Sequence, residues 1–161
     1  MSEYFPLPGD IGLVSTKGLI GFLIQLGTFS KMNHSFIYEG DDIIIEATPR
    51  RGVIRSPVAN YTGIVWSRHK DWSLAERAII VAEAQSKLGC KYFFADFVMQ
   101  GCRILHLPVP NWVFGNMSKS KAFICSQLST HCWRKAGYEF IKEKPEYLVT
   151  PSDQAIAFWY M

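Results

Sequence analysis

The sequence predicts a single α+β domain in which an antiparallel sheet packs against helices. Three observations lead there. Segments with strand character fill most of the first 67 residues, and segments with helical character follow from residue 73. The length, 161 residues, is that of one domain. Hydrophobic residues at 48% against 19% charged supply enough apolar material for a real core.

Each element has its own local signal. "GDIGLVS" (9–15) is a short apolar strand opened by a Gly-Asp turn. Ser15 or Thr16 caps a short helix over 17–27, weakened by Gly18 and Gly21. "NHSFIYEGDDIIIEATP" reads as a hairpin, two β-rich runs around a turn at Glu39-Gly40-Asp41. "GVIRSPV" and "TGIVWSR" predict two more strands. Asp71 or Ser73 caps a helix over 73–88 that ends at Gly89. "YFFADFVMQGCRIL" predicts a second helix and "LPVPNWVFGNMSKS" a loop. "AFICSQLSTHCWRKAG" predicts a helix that stops at Gly137, and "TPSDQAIAF" a last short one. There is no repeat, low-complexity stretch or linker.

Composition excludes several function classes. The net charge is +3, and the basic residues are scattered, the densest groups being Lys119, Lys121, Arg134 and Lys135, then Arg50, Arg51 and Arg55. That is too thin for a nucleic-acid footprint. The start, "MSEYFPLPGD", lacks the basic-then-apolar order of a signal peptide, so the chain reads as cytoplasmic unless another route exports it. The longest apolar stretch, "GLIGFLIQLG", is too short to cross a bilayer. Cys90, Cys102, Cys125 and Cys132 form no C-x-x-C knuckle, which argues against zinc, and without a signal peptide disulfides are not expected either. No metal or organic cofactor is expected.

Two features carry chemistry. With a three-residue turn centred on Gly40, His34 stands directly opposite Glu46 on one face of the hairpin. A two-residue turn would make the pair diagonal instead. A carboxylate beside an imidazole fixes its tautomer and raises its basicity. On spacing alone, a plain cross-strand ion pair is the simpler reading. The second feature is Cys125 in the first turn of a helix, where unpaired N–H groups and the helix dipole stabilise a thiolate and can hold an oxyanion. Free cysteines are also commonly buried for packing. Taken together, the two features are the parts of a Cys-His-acid hydrolase. Ser126 follows the cysteine and offers its backbone N–H or its hydroxyl. Tyr92 either lines the site or packs in the core. His69 reads as a surface residue, Asn33 as facing away from His34, and His131 as pointing elsewhere on the Cys125 helix. "NWVFG" (111–115) and the 18–27 segment either bury themselves or bind an acyl chain.

The ordered set "PGDIGLVS", "MNHSFIYEGDDIIIEATPRRGV", "LGCKYFFADF", "FICSQL" and "TPSDQ" resembles the circularly permuted branch of the NlpC-type papain-like superfamily, the YiiX-type proteins. It is also distantly similar to the lecithin:retinol acyltransferases, which place a polar residue twelve after the first histidine. The matches span nearly the whole chain. The histidine precedes the cysteine, as permutation requires. The resemblance implies a permuted papain-like fold with Cys125 as nucleophile, His34 as general base and Glu46 as third member. It implies cleavage of an amide or ester through an acyl-enzyme, the substrate being a peptide, a peptidoglycan fragment or a lipid-like acyl donor. A cysteine peptidase or amidase is the first reading. A lipid acyltransferase or ester hydrolase is the second, and a non-catalytic binding module on the same fold the third. Gln127 and Phe93 depart from the family's usual Glu and Asp.

Overall fold

The computed structural model describes residues 4–17, 30–67, 71–92, 123–142 and 144–159. The helices expected over 17–27 and from Tyr92 onward, the 107–120 loop, His69 and Cys102 lie wholly or mainly outside these residues. Within them the architecture is α+β, as expected. Five strands form one antiparallel sheet: β1 (Ile11–Val14), β2 (His34–Gly40), β3 (Ile43–Thr48), β4 (Gly52–Pro57) and β5 (Val65–Trp66), in the order β4-β3-β2-β1-β5. Three helices are described: α1 (Leu74–Ser86), α2 (Cys125–Lys135) and α3 (Pro151–Trp159). No described helix is long and apolar enough to cross a membrane.

Alternation along the strands gives the sheet two unlike faces. Ile11, Leu13, Ile37, Ile45, Ala47 and Val53 point to one side, where Ile80 and Ala84 of α1 and Leu128, Cys132 and Trp133 of α2 complete the principal core. Val14, Phe36 and Ile44 point to the other, covered by Val58, Tyr61, Ile64 and Trp66. The predicted "TGIVWSR" strand shrinks to Val65–Trp66. Pro57 leads instead into a 3₁₀ turn at Val58–Asn60, and Gly63 sits at φ +66°. Gly12 is the one place in β1 where the second face admits no side chain, because a Cβ there would overlap the Phe36 ring.

The start of α1 matches the expectation closely. Ser73 is its N-cap and forms a reciprocal capping box with Glu76. Behind it lies a buried ion pair that sequence patterning does not predict. Arg77 Nη1 reaches Asp10 Oδ1 at 3.0 Å, with the two side chains 4% and 0% exposed.

The "TPSDQ" motif fixes α2 from outside. Thr150 and Asp153 cap α3 reciprocally, Thr150 N donating to Asp153 Oδ2 at 2.9 Å and Asp153 N to Thr150 Oγ1 at 3.1 Å. One turn in, the fully buried Gln154 sends its amide nitrogen toward Ser126 O, Ser129 Oγ and Thr130 Oγ1 at 3.1, 2.7 and 3.0 Å. Gln154→Leu would strand these acceptors in the core, and chemical denaturation should show a loss of about 1–3 kcal/mol.

Candidate active site

The β2–β3 turn decides how His34 meets Glu46. Asp41 and Asp42, both at positive φ (49° and 58°), make a two-residue turn of the kind that suits a hairpin's twist. The register then shifts between Tyr38 and Gly40, and Phe36, not His34, stands opposite Glu46. The expected direct pairing is therefore corrected to a diagonal one. The displacement amounts to two residues, so facing is preserved, because strand side chains repeat every two. His34 Nε2 and Glu46 Oε2 are 2.7 Å apart, with the side chains only 12% and 3% exposed.

Glu46 is held on three sides. Tyr61 Oη donates to the same Oε2 at 2.6 Å, and the Ser56 hydroxyl also bonds the carboxylate. Burial favours the neutral acid, yet the bonds from His34, Ser56 and Tyr61 outweigh it and hold the carboxyl below its usual range. Tyr61 is the site residue that sequence reasoning missed. It lies just past the 3₁₀ turn, ahead of the expected fifth strand, and no local pattern points it at residue 46. Its ring stacks on Phe36 at 5.2 Å and lies 5.6 Å from the His34 ring, so it closes the site on the face away from the helices. Tyr61→Phe keeps the ring and deletes the donor. The Glu46 pKa should rise. A carboxyl whose folded pKa is depressed gives stability that fades as pH falls through that value. The variant should therefore lose stability at a higher pH on the acid side than wild type, readable from denaturation midpoints between about pH 3 and 6.

Cys125 opens α2. Ile124 is the N-cap and has no side-chain acceptor to occupy the first-turn N–H groups. Cys125 as a residue is 6% exposed, and its thiol hydrogen-bonds the His34 ring. The contact forms at an end of the sheet. His34, Phe36 and Glu46 share the face turned from α2, and the β2–β3 ladder stops at Phe36–Glu46. Beyond it the Ser35 backbone N–H meets the sulfur, as does the Ser126 N–H.

These contacts set the electrostatics. Burial alone would push the Cys125 thiol up. The hydrogen bond and charge of His34, with the Ser35 and Ser126 N–H groups, reverse this and bring it below the ordinary thiol value. Burial alone would lower His34, but its bonds to Cys125 and Glu46 prevail and raise it to about 9. Both directions favour thiolate and imidazolium over thiol and imidazole. Cys132 is the contrast. It is fully buried on the same helix, with Glu83 and Glu146 nearby, and its thiol is pushed up.

The other expected residues stand in various relations to the sulfur. The Ser126 hydroxyl is engaged elsewhere, donating to Val149 O at 2.6 Å, so only its backbone N–H faces the sulfur. Tyr92 is half-buried and packs against the principal core. Asn33 is buried and bonds Thr16 through both ends of its amide. His131 points away from Cys125, between Glu146 and Glu83 at 2.9 and 3.0 Å. Gln127 is 7% exposed, and its Oε1 meets no donor among the described residues. No group of three metal-binding side chains converges among the described residues.

Compared with known proteins, the chain matches no family model. It matches no curated protein either.

Proposed function

We propose that the chain is a cysteine hydrolase of the peptidase or amidase type, built on a circularly permuted papain-like fold. The observation that carries this reading is the unbroken run from Cys125 through His34 to Glu46, with the sulfur at the start of a helix and two backbone N–H groups around it. An ordinary cross-strand ion pair would not also hold a thiol of lowered pKa, and a packing cysteine would resemble Cys132.

In the proposed reaction the Cys125 thiolate attacks a carbonyl carbon and a C–S bond forms. The carbonyl oxygen becomes an oxyanion, held by N–H groups of the first turn of α2. The C–N bond breaks as the leaving amine takes the proton from the His34 imidazolium. Water then gives a proton to His34 and attacks the thioester, and the C–S bond breaks to release the acid and restore the thiolate. Glu46 keeps the ring oriented and its charge balanced throughout, and Tyr61 and Ser56 keep Glu46 in place.

The test is alkylation of each cysteine by iodoacetamide against pH, followed by mass spectrometry. Cys125 should react at about pH 6, where an unperturbed thiol is ionised to only about 0.3%. Titration near about 8.5, the unperturbed thiol value, or complete protection in the folded protein, would overturn the activated thiolate and leave a binding module as the better account.

A further inference from the structure

The two ends of the sheet carry opposite charge. At the far end from Cys125 stand Asp10, Glu39, Asp41 and Asp42, around the β2–β3 turn and the start of β1. At the His34 end the register brings together the end of β1, the start of β2 and the β3–β4 turn, since Val14 pairs His34 and Thr48 pairs Gly52. The segments meeting there, 14–17, 30–34 and 47–52, contain Lys17, Lys31, Arg50 and Arg51, all exposed, and no aspartate or glutamate. Lys91 joins them, because its carbonyl accepts from Phe123 N at 3.0 Å, two residues before Cys125. Along this strand segment the acid closest in sequence to the turn is Glu46, buried and already committed to His34, Tyr61 and Ser56.

Within this rim the Arg50-Arg51 turn is set apart. It follows Glu46 by four and five residues on the same chain segment. Arg51 is close enough to Tyr61 for its charge to act on the phenol. Arg55, the third arginine of the segment, is tied up at the other end by a two-pronged bond to Glu39, both contacts at 2.7 Å. Arg50 and Arg51 have no carboxylate partner among the described residues. Two neighbouring, exposed guanidinium groups at the His34 end of the sheet, without a carboxylate partner among the described residues, form a docking point for an anion.

We propose that Arg50 and Arg51 bind an anionic group, carboxylate or phosphate, carried by the acyl substrate of Cys125. This rests on the cysteine-hydrolase reading. It adds substrate class: the site selects acyl donors with a negative charge a few bonds from the scissile carbonyl, and the arginines act in binding rather than in the chemical step.

Three p-nitrophenyl esters with matched chains test this: butyrate (neutral), the glutarate half-ester (carboxylate) and phosphonobutyrate (phosphonate). Wild-type protein should acylate Cys125 from one or both anionic esters with kcat/KM about tenfold or more above that for butyrate, mainly through KM. The better of the two names the anion. The double variant Arg50→Gln/Arg51→Gln, altered only at exposed positions, should lose that preference and keep its rate on butyrate. A second probe needs no turnover. The ratio of iodoacetate to iodoacetamide alkylation rates at Cys125 should fall about threefold in the double variant at low salt, and less at high salt. If wild type shows no anionic preference, or the double variant keeps it, anion docking is overturned while the hydrolase reading stands. If none of the esters acylates Cys125 and its sulfur alkylates as an ordinary thiol, the hydrolase reading itself fails and this inference falls with it.

Discussion

His34→Ala is expected to turn Cys125 into an ordinary buried thiol, and this is the largest functional effect the structure supports. His34 supplies the leading interactions that pull the sulfur below its usual range, first as hydrogen-bond donor and then as a charge. Without it, burial acts alone and the thiol rises. Alkylation at about pH 6 should drop at least about tenfold, the lost thiolate fraction being partly offset because a more basic sulfur is the better nucleophile. On the proposed cysteine-hydrolase reading, hydrolysis should fall by about a thousandfold or more, the usual result of removing one member of a coupled triad. The directions of the shifts set the pH window. The thiolate–imidazolium pair forms above the depressed Cys125 titration and is lost as His34 deprotonates near 9. On that reading, hydrolysis by wild type should fall above about pH 9, where His34 has no proton for the leaving group, while alkylation persists because the thiolate remains. Stability carries a compensated signature, because the two shifts oppose each other. Between about pH 6.5 and 8.5 the folded thiolate–imidazolium pair binds as many protons as the unfolded thiol and neutral imidazole, so the stability gap between wild type and His34→Ala should be level there and shrink as pH falls below about 6.5. A gap that narrows as pH rises through that window would show that Cys125 keeps its proton in the folded protein.

Local signals made much of this site legible. The alternation in "HSFIYEG" and "IIIEAT" puts His34 and Glu46 on one face whatever the turn, because every register that keeps the apolar residues inside preserves their parity. The turn itself is harder to read. A three-residue turn on Gly40 is the local expectation, yet Asp41 and Asp42 take the positive-φ positions and the irregularity at Glu39 absorbs the spare residue. Two adjacent aspartates tolerate that backbone well enough to compete with glycine, which a glycine-centred reading overlooks. The place of Cys125 at the first turn of α2 was likewise readable from the helical run after it, closed by Gly137 at φ +86°.

The supports of the site were not legible, and the reason is distance along the chain. Tyr61 reaches Glu46 across 15 residues, and Gln154 braces Ser126 across 28. Such contacts depend on how elements stack, which periodicity does not encode. The face of approach was also hidden. A helix carrying the cysteine and a hairpin carrying the histidine suggest simple face-to-face packing, whereas α2 covers the opposite side of the sheet and the two groups meet only where the β2–β3 ladder ends. One consequence is that Cys125 and His34 are aligned by the whole β2–α2 packing. Ser35, on the helix-facing side, contributes a hydroxyl 3.2 Å from Ser129 Oγ and a backbone N–H to the sulfur.

The largest stability effect is expected at Arg77. Its guanidinium is 4% exposed against a fully buried Asp10. Nη1 donates to Asp10 Oδ1 and to Pro8 O, both at 3.0 Å, and the guanidinium carbon lies 5.6 Å from the Trp72 ring centroid. Asp10 in turn accepts from Leu7 N at 2.9 Å and Tyr4 Oη at 2.6 Å through its other oxygen. The "PGD" opening of β1 is thus organised around one buried carboxylate, and next to it Gly9 O accepts from Trp133 Nε1 of α2 at 2.9 Å. Arg77→Ala would leave that carboxylate buried without its cation. Urea denaturation should show a loss of about 3–5 kcal/mol, the usual consequence of removing one partner of a buried pair. The pair's own net worth is much smaller, since desolvation of two charges cancels most of their attraction. Asp10→Leu/Arg77→Leu should therefore be far less destabilised than Arg77→Ala. Below its melting temperature the Arg77→Ala protein should alkylate Cys125 at the wild-type rate. The ion pair lies at the acidic end of the sheet, and it reaches the thiolate only indirectly, through the packing of α1 and α2, the Trp133–Gly9 bond and the β1–β2 pairing. A slowed Cys125 in the folded variant would mean instead that the β1 opening sets the position of the Cys125 helix.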